Sequence, residues 1–242
     1  MRATIDSTTT RSALPVGLRA VERADIADVA GLVYEAFATI HDQHRFARDF
    51  PSLAGAEQMT SAFVAHPSIW GVVAECDGQI VGSNFLDERG PIRGLGPITV
   101  HPAAQSRGVG RRLMQAALER ARGAAGVRLL QDSFNVGSLS LYASLGFEVK
   151  EPAVVLSGRP RSGPPTAVEV RPLEEGDLVG CEELCLSVLG FERTPELRDA
   201  LATDALSPFV AVRDGRVTAS APTLSRSLPR TPSQRPTTIC AP

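Results

Sequence analysis

Residues 98–122, ITVHPAAQSRGVGRRLMQAALERAR, limit what this chain can fold into more than any other stretch. Ile98, Thr99 and Val100 form a β-branched run closed by His101-Pro102, which predicts a strand ending in a turn. Beyond Gln105-Ser106-Arg107-Gly108-Val109-Gly110, apolar residues recur at Val109, Leu113, Ala117, Leu118 and Ala121, the spacing of one helical face. The order is strand, glycine-bearing turn, helix. A helix start of this kind offers N–H groups without helical partners and the positive end of the helix dipole, so an anion can sit there. Gly108 and Gly110 let a phosphate approach the amides, and Arg107, Arg111 and Arg112 add positive charge. By shape alone, the same two glycines also fit a plain tight turn into an amphipathic helix.

Residue identity excludes two phosphate motifs. A Walker loop needs Lys-Ser/Thr after its last glycine, and Gly110 is followed by Arg111-Arg112. A dinucleotide fingerprint needs a third glycine where this chain has Leu113, whose bulk prevents the close helix-to-strand packing.

The run Val100, Pro102, Gln105-Ser106-Arg107-Gly108-Val109-Gly110 resembles the signature of the GNAT family of N-acetyltransferases, in which Gln or Arg, two residues, Gly, one residue and Gly or Ala wrap the pyrophosphate of acetyl-CoA. A second family feature follows in NVGSLSLYASLGF: Asn135, Tyr142, then Leu145-Gly146-Phe147. The resemblance covers roughly Leu18 to Ser157. It implies an α/β (α+β) class with a mixed central sheet flanked by helices, and acetyl-CoA as cosubstrate. It also implies cofactor contacts from Ile98, Thr99, Val100, Gln105, Ser106, Arg107, Gly108, Val109, Gly110, Arg111, Asn135 and Tyr142. The strand Ile98 to Val100 is expected to splay from Val127–Ser133, so that its free backbone pairs with the pantetheine arm as an added strand would, with an N–H near Val100 polarising the acetyl carbonyl.

Composition narrows the partners. A net charge of −2 supplies no general field for nucleic acid or an acidic membrane, and no run is long enough to cross a bilayer. The four cysteines lack metal-ligand spacing, and nothing argues for secretion, so a cytoplasmic location is expected. His41, Asp42 and His44 lack a fourth partner and read as solvated rather than metal-binding; no metal is expected. By resemblance, the segment HDQHRFARDFPSLAG that contains them shapes the acceptor pocket.

Taken in order, residues 1–16 read as a flexible tail and Leu18–Glu22 as a strand. Asp25 reads as the N-cap of a helix to about Ile40, with Ile26, Val29, Val33 and Phe37 on its core stripe. Ala56–Ala65 is expected to be helical, and Trp70–Cys76 and Gln79–Leu86 to pair around Asp77-Gly78. After the helix of the opening stretch come a strand at Val127–Ser133, a helix at Gly137–Leu145, and one or two strands in Phe147–Ser157.

Acetyl transfer to an amine needs a stabilised carbonyl oxygen, a base for the amine and an acid for the thiolate. Tyr142 is the candidate acid, since a phenol keeps its proton at neutral pH; an ordinary core aromatic is the other reading. Asn135 is expected to bond the coenzyme or simply to cap its helix. No glutamate lies in Leu95–Val100, leaving Asp132 and Glu88, with its neighbour Asp87, as candidate bases or a water relay in their place. The expected activity is acetyl-CoA-dependent N-acetyl transfer to a primary amine, of a small molecule or a protein, by direct transfer in a ternary complex. The alternative is a non-catalytic acyl-CoA-binding or regulatory module.

The acetyltransferase domain is expected over 17–158, followed by a Pro/Gly-rich linker at 159–167. Residues 168–221 then repeat the beginning: Arg171, Glu174, Asp177 and Leu184 match Arg19, Glu22, Asp25 and Leu32 (171 − 19 = 152), and Asp214-Gly215 matches Asp77-Gly78 (214 − 77 = 137). This predicts a partial second GNAT-like unit, truncated before any second phosphate loop, and a disordered tail over 222–242. One acetyl-CoA site per chain is expected. Two roles stay open for the second unit, covering an apolar flank of the first domain or forming part of a homodimer contact.

Overall fold

A computed structural model describes residues 12–154, 163, 166–203 and 206–221. The expected tail over 222–242, most of the linker and residues 1–11 lie outside these. The chain divides into two compact units, one of residues 1–88 and 92–148, the other of 89–91 and 149–242.

In the first unit β1 (Gly17–Ala20), β2 (Ile69–Cys76), β3 (Gln79–Asp87), β4 (Ile92–Leu95) and β6 (Gly126–Arg128) lie in that order, and β5 (Thr99–Val100) pairs with β3. All pairs are antiparallel except β4 with β6, so the sheet is mixed. The centre of β2 is buried on both faces, and its period-two alternation assigns them. Val72 and Ala74 pack with Val109 and Leu113 of α3 (Val109–Arg120), while Val73 packs with Val29, Val33 and Ala56 of α1 (Ile26–His44) and α2 (Leu53–Ala65). Leu86, Leu95 and Met114 join Tyr142 of α4 (Val136–Ala143) in a third cluster. Helices on both faces explain why these strands read as nearly continuous apolar runs.

Several expectations are corrected. Residues 12–16 are docked: Val16 is buried and the Leu14 N–H donates to Arg107 O at 3.1 Å. Asp25 holds the N-cap position of α1 as expected, but its side chain does not cap that helix: as the third residue of a capping box in the turn before it, it accepts from the Glu22 N–H at 2.8 Å and is gripped by Arg19 at 2.6 and 2.9 Å. Helix α1 runs beyond Ile40 to His44. The strand expected over Val127–Ser133 stops at Arg128, and no strand forms over 147–154 among the described residues; 155–157 lie outside them. Val149 and Val154 are exposed and Pro152 lacks the N–H a ladder needs, so this stretch lacks a face to bury and a full set of donors.

In the second unit β7 (Glu169–Pro172), β8 (Phe209–Arg213) and β9 (Arg216–Ala221) form an antiparallel sheet with α5 (Leu178–Leu189) and α6 (Thr194–Leu201). Its core holds Leu173, Leu178, Cys181, Leu197 and Val210. Burial in that core pushes the Cys181 thiol up to about 11, so it behaves as a small hydrophobe.

Candidate active site

The strand and the loop that the sequence singled out meet at a gap in the sheet. β4 and β6 run in register from Ile92↔Gly126 to Gly94↔Arg128, and there the pairing ends. Between Leu86↔Leu95 and Ser83↔Thr99 the β3 side advances three residues (86 − 83) and the other side four (99 − 95). The extra residue falls at Gly96-Pro97-Ile98, where Gly96 takes φ +126°, a conformation that suits glycine. Such a bulge bends its strand, so β5 leaves the line of β6 while Leu129–Ser133 form no strand. The two arms splay.

Among the described residues β5 consequently keeps one side without a strand partner. The His101 N–H donates to Val81 O at 2.9 Å, toward β3. Alternation along an antiparallel ladder turns the Val100 N–H and C=O to the opposite side, toward the gap. There Val100 O accepts from Gln105 Nε2 at 3.1 Å, which ties the loop to the strand end. A buried hydroxyl pair, Ser83 Oγ with Thr99 Oγ1 at 2.6 Å, anchors β5 to β3.

The loop from Gln105 to Gly108 carries two left-handed residues, Ser106 at φ +60° and Gly108 at φ +84°. Gly108 is the N-cap of α3, and the first helical bond runs from the Arg112 N–H to Gly108 O at 3.1 Å. The amides of Val109, Gly110 and Arg111 therefore precede the helical ladder and cluster at its positive end. The two glycines differ in purpose. A Cβ on Gly108 would meet nothing within 4 Å, so conformation and an open approach are what it supplies. A Cβ on Gly110 would come within 3.3 Å of Leu141 and 3.7 Å of Val100, so Gly110 lets α4 close on the helix start.

The side chains around the loop are less free than the sequence suggested. Arg112 donates to Val16 O, Arg107 Nε to Ser12 O at 3.3 Å, and Arg111 to Ser144 Oγ at 2.7 Å. Val109 points into the core, leaving only its backbone at the loop. Ile98 also packs its side chain against the core. Asn135 caps α4, its Oδ1 accepting from the Ser138 N–H at 3.2 Å.

Tyr142 sits on α4 beneath this region, buried among Leu86, Leu95 and Met114. Burial pushes its phenol above the usual range, a hydrogen bond with Ser138 opposes that, and the charge of Asp132 adds to it. The phenol therefore holds its proton at neutral pH and lies within electrostatic reach of Asp132. Glu88 does not join them. Two residues beyond Leu86, it is clasped by Arg120 at 3.0 and 2.9 Å.

Helix α1 spans the gap. Its Glu35 lies 3.7 Å from His101 at the end of β5, and its His41 lies 3.8 Å from Asp132 on the other arm. His41 is buried, with Asp49 also 3.5 Å from its Nε2. Desolvation raises the Asp49 carboxyl, the charge of His41 lowers it and that of Asp132 raises it. Phe134 meets His41 edge-on at 5.3 Å and stacks on Phe46 at 4.4 Å. Asp42 turns away to a two-point clasp with Arg48, and His44 lies against Phe134 at 5.2 Å, so the sequence group His41, Asp42 and His44 is not a cluster. The group that does converge, His41, Asp49 and Asp132, joins residues 91 apart in sequence (132 − 41), and no spacing signals it.

Residues 67–149 match the acetyltransferase (GNAT) domain family. Among solved structures, a point mutant of a Bacillus halodurans protein is 15% identical, with 58% of this chain and 98% of that one covered at a TM-score of 0.52. A tetramutant of the same protein gives 16%, 58%, 98% and 0.51. An aminoglycoside N-acetyltransferase in complex with CoA is 16% identical, with 63% and 99% covered at a TM-score of 0.48. At such identities the likeness to the two Bacillus halodurans structures speaks to fold alone. No curated protein matches the chain. The splayed strands, the glycine loop and the tyrosine helix come together within residues 67–149, the stretch that matches the acetyltransferase (GNAT) domain family.

Proposed function

We propose that this chain is an acetyl-CoA-dependent N-acetyltransferase that moves the acetyl group to a primary amine by direct transfer in a ternary complex. The observation that carries the reading is the unpaired side of β5 beside the amide-rich start of α3. A diphosphate takes the N–H groups of Val109, Gly110 and Arg111, with Ser106, Arg107 and Arg111 around it. The pantetheine arm lies along β5 as an added strand, with Ile98 and Thr99 fixing the strand behind it. That places the thioester by the Val100 N–H, which stabilises the carbonyl oxygen as it gains negative charge. Tyr142 returns a proton to the leaving thiolate, and Asp132 is the acid/base candidate that stays with it. Asn135 shapes the site through its cap, and its Nδ2 is left to contact the coenzyme.

Incubation with acetyl-CoA and a panel of primary amines tests this by thiol release and product mass. Release that depends on an amine and on Tyr142 supports transfer. The absence of a glutamate in Leu95–Val100 favours the second reading, a non-catalytic acyl-CoA-binding module, and CoA binding without release across the panel would select it.

The second unit, in this proposal, is a partial GNAT-like copy, and residues 216–242 contain no glycine with which to offer a coenzyme a phosphate loop of this kind. Calorimetry should give one CoA per chain; two would refute it.

A further inference from the structure

The cluster under the C-terminal half of α1 is electrostatically incomplete. His41 Nδ1 lies 2.8 Å from Phe37 O, and a carbonyl only accepts, so Nδ1 carries the hydrogen. In the neutral ring Nε2 is then a lone pair. It faces Asp49 Oδ1 at 3.5 Å and Asp132 Oδ2 at 3.8 Å, both wider than a normal N–H···O bond. While the ring is neutral, three acceptor atoms within 4.8 Å of one another converge with no donor among them. A buried ring nitrogen aimed at two carboxylates calls for a guest that brings donors.

We propose that this guest is the primary ammonium group of the acetyl acceptor, and that His41 is the catalytic base that deprotonates it. The inference rests on the acetyltransferase reading. A primary ammonium carries three N–H bonds, and with tetrahedral geometry and charge-assisted contacts near 2.8 Å its three acceptors lie about 4.5 Å apart. In the triangle of His41, Asp49 and Asp132 the two sides at Nε2, 3.5 and 3.8 Å, are shorter than this, so the two exposed carboxylates must swing outward to seat the ion. Asp49 and Asp132 are 53% and 37% exposed while His41 is 3% exposed, so the carboxylates form the mouth and the imidazole the floor. Phe134, stacked on Phe46, walls the mouth with aromatic surface that suits an alkyl chain.

The proton balance closes. The ammonium N–H facing Nε2 passes its proton to His41, leaving the amine lone pair to attack the thioester carbonyl, and the thiolate that leaves takes a proton from Tyr142. The groups that set the ring's charge are Asp49 and Asp132 directly; Asp42 with Arg48, His44 and Tyr142 stand around them. Glu35, near His101, marks the β5 arm of the same helix, so α1 holds the amine seat over the gap where the thioester lies.

The test uses the whole protein with histidine nitrogens labelled, titrated with n-butylammonium and, as a cation without N–H donors, butyltrimethylammonium, each with CoA present. The His41 Nε2 resonance should move with n-butylammonium and stay with the quaternary ion. Asp49→Asn and Asp132→Asn should each weaken that binding about tenfold while CoA affinity is kept. His41→Gln should lower kcat by about a hundredfold, within the range of acid-base catalysis, leave the KM for acetyl-CoA unchanged and remove the acidic limb of the pH-rate profile. An unmoved resonance with n-butylammonium, or a resonance moved by zinc ions alone, would overturn the amine seat. If the ring responds but no amine yields thiol, the seat stands and the transferase reading falls. If thiol is released but the ring is silent and His41→Gln turns over normally, the reverse holds. Asp49 is exposed enough for its variant to stay folded, so the comparison survives loss of either other variant.

Discussion

Residues 17–87 and 169–221 fold through the same series of strand, capping box, helix, helix and hairpin, and among the described residues only the first series leads on to the candidate site. Arg19 grips Asp25 at 2.6 and 2.9 Å, and Arg171 grips Asp177 at 2.6 and 2.8 Å. Both hairpins turn on left-handed Asp-Gly pairs, Asp77-Gly78 and Asp214-Gly215. Even the irregularities agree: β2 shifts register between Ala74 and Glu75, β8 between Ala211 and Val212, the offset of the hairpins (211 − 74 = 137). The differences lie in what is added. α5 has 12 residues and ends at left-handed Gly190; α1 has 19, with Ala38 at the matching position (190 − 152 = 38), and its extra turns carry His41. The first unit then continues into β4, the bulge, β5 and the glycine loop. Clamp and hairpin are frame, and the proposed chemistry depends on a helix extension and a strand–loop–helix.

The sharpest way to break that contrast is to remove chemistry and leave the frame. Tyr142→Phe should lower kcat by about a hundredfold or more with an unchanged KM for acetyl-CoA, read by thiol release; normal turnover would return Tyr142 to the role of a core aromatic. Removing frame should instead act on stability. Leu113 is fully buried between α3 and the sheet, so Leu113→Ala should cost about 2–5 kcal/mol in denaturant unfolding.

The two clamps allow a matched test. Asp25→Asn should cost about 1–2 kcal/mol, with Arg19 39% exposed and therefore partly screened. Asp177→Asn should weaken the second unit likewise, seen as faster hydrogen exchange at Val210 rather than Val73. Bonding to arginine holds the Asp25 carboxyl below its ordinary range. A depressed acid stabilises the fold fully above its unfolded value, about 4, and loses that stabilisation as pH falls through its folded value. Wild type should therefore weaken on acidification in this window more steeply than Asp25→Asn. The smallest effect is expected from Ala38→Gly, about 1 kcal/mol of helix stability, with faster exchange at the amides after residue 38 and reduced turnover as His41 loses its seat.

The loop and its helix were legible because each is local: glycines, arginines and an apolar period sit within one or two turns of one another; Arg19 and Asp25 were legible as a repeat at Arg171 and Asp177, but their clasp was not. The early end of β6 was not, because Leu129–Ser133 read apolar enough for a strand and only the bulge at Gly96 removes the partner. Glu88 looked available in sequence because nothing there shows Arg120 beside it. The His41, Asp49 and Asp132 cluster was hidden for the opposite reason, since a helix end, a loop and the arm beyond β6 meet only in the folded chain.

The most direct test is calorimetric titration of CoA into the wild type and into Gly108→Val, with near-UV circular dichroism to establish that the variant is folded. The wild type should bind one CoA per chain, and the variant, whose valine disfavours φ +84° and crowds the amides, should bind at least tenfold more weakly, a loss of about 1.4 kcal/mol or more. Equal affinity in a folded Gly108→Val protein would contradict the assignment of the α3 start as the diphosphate site.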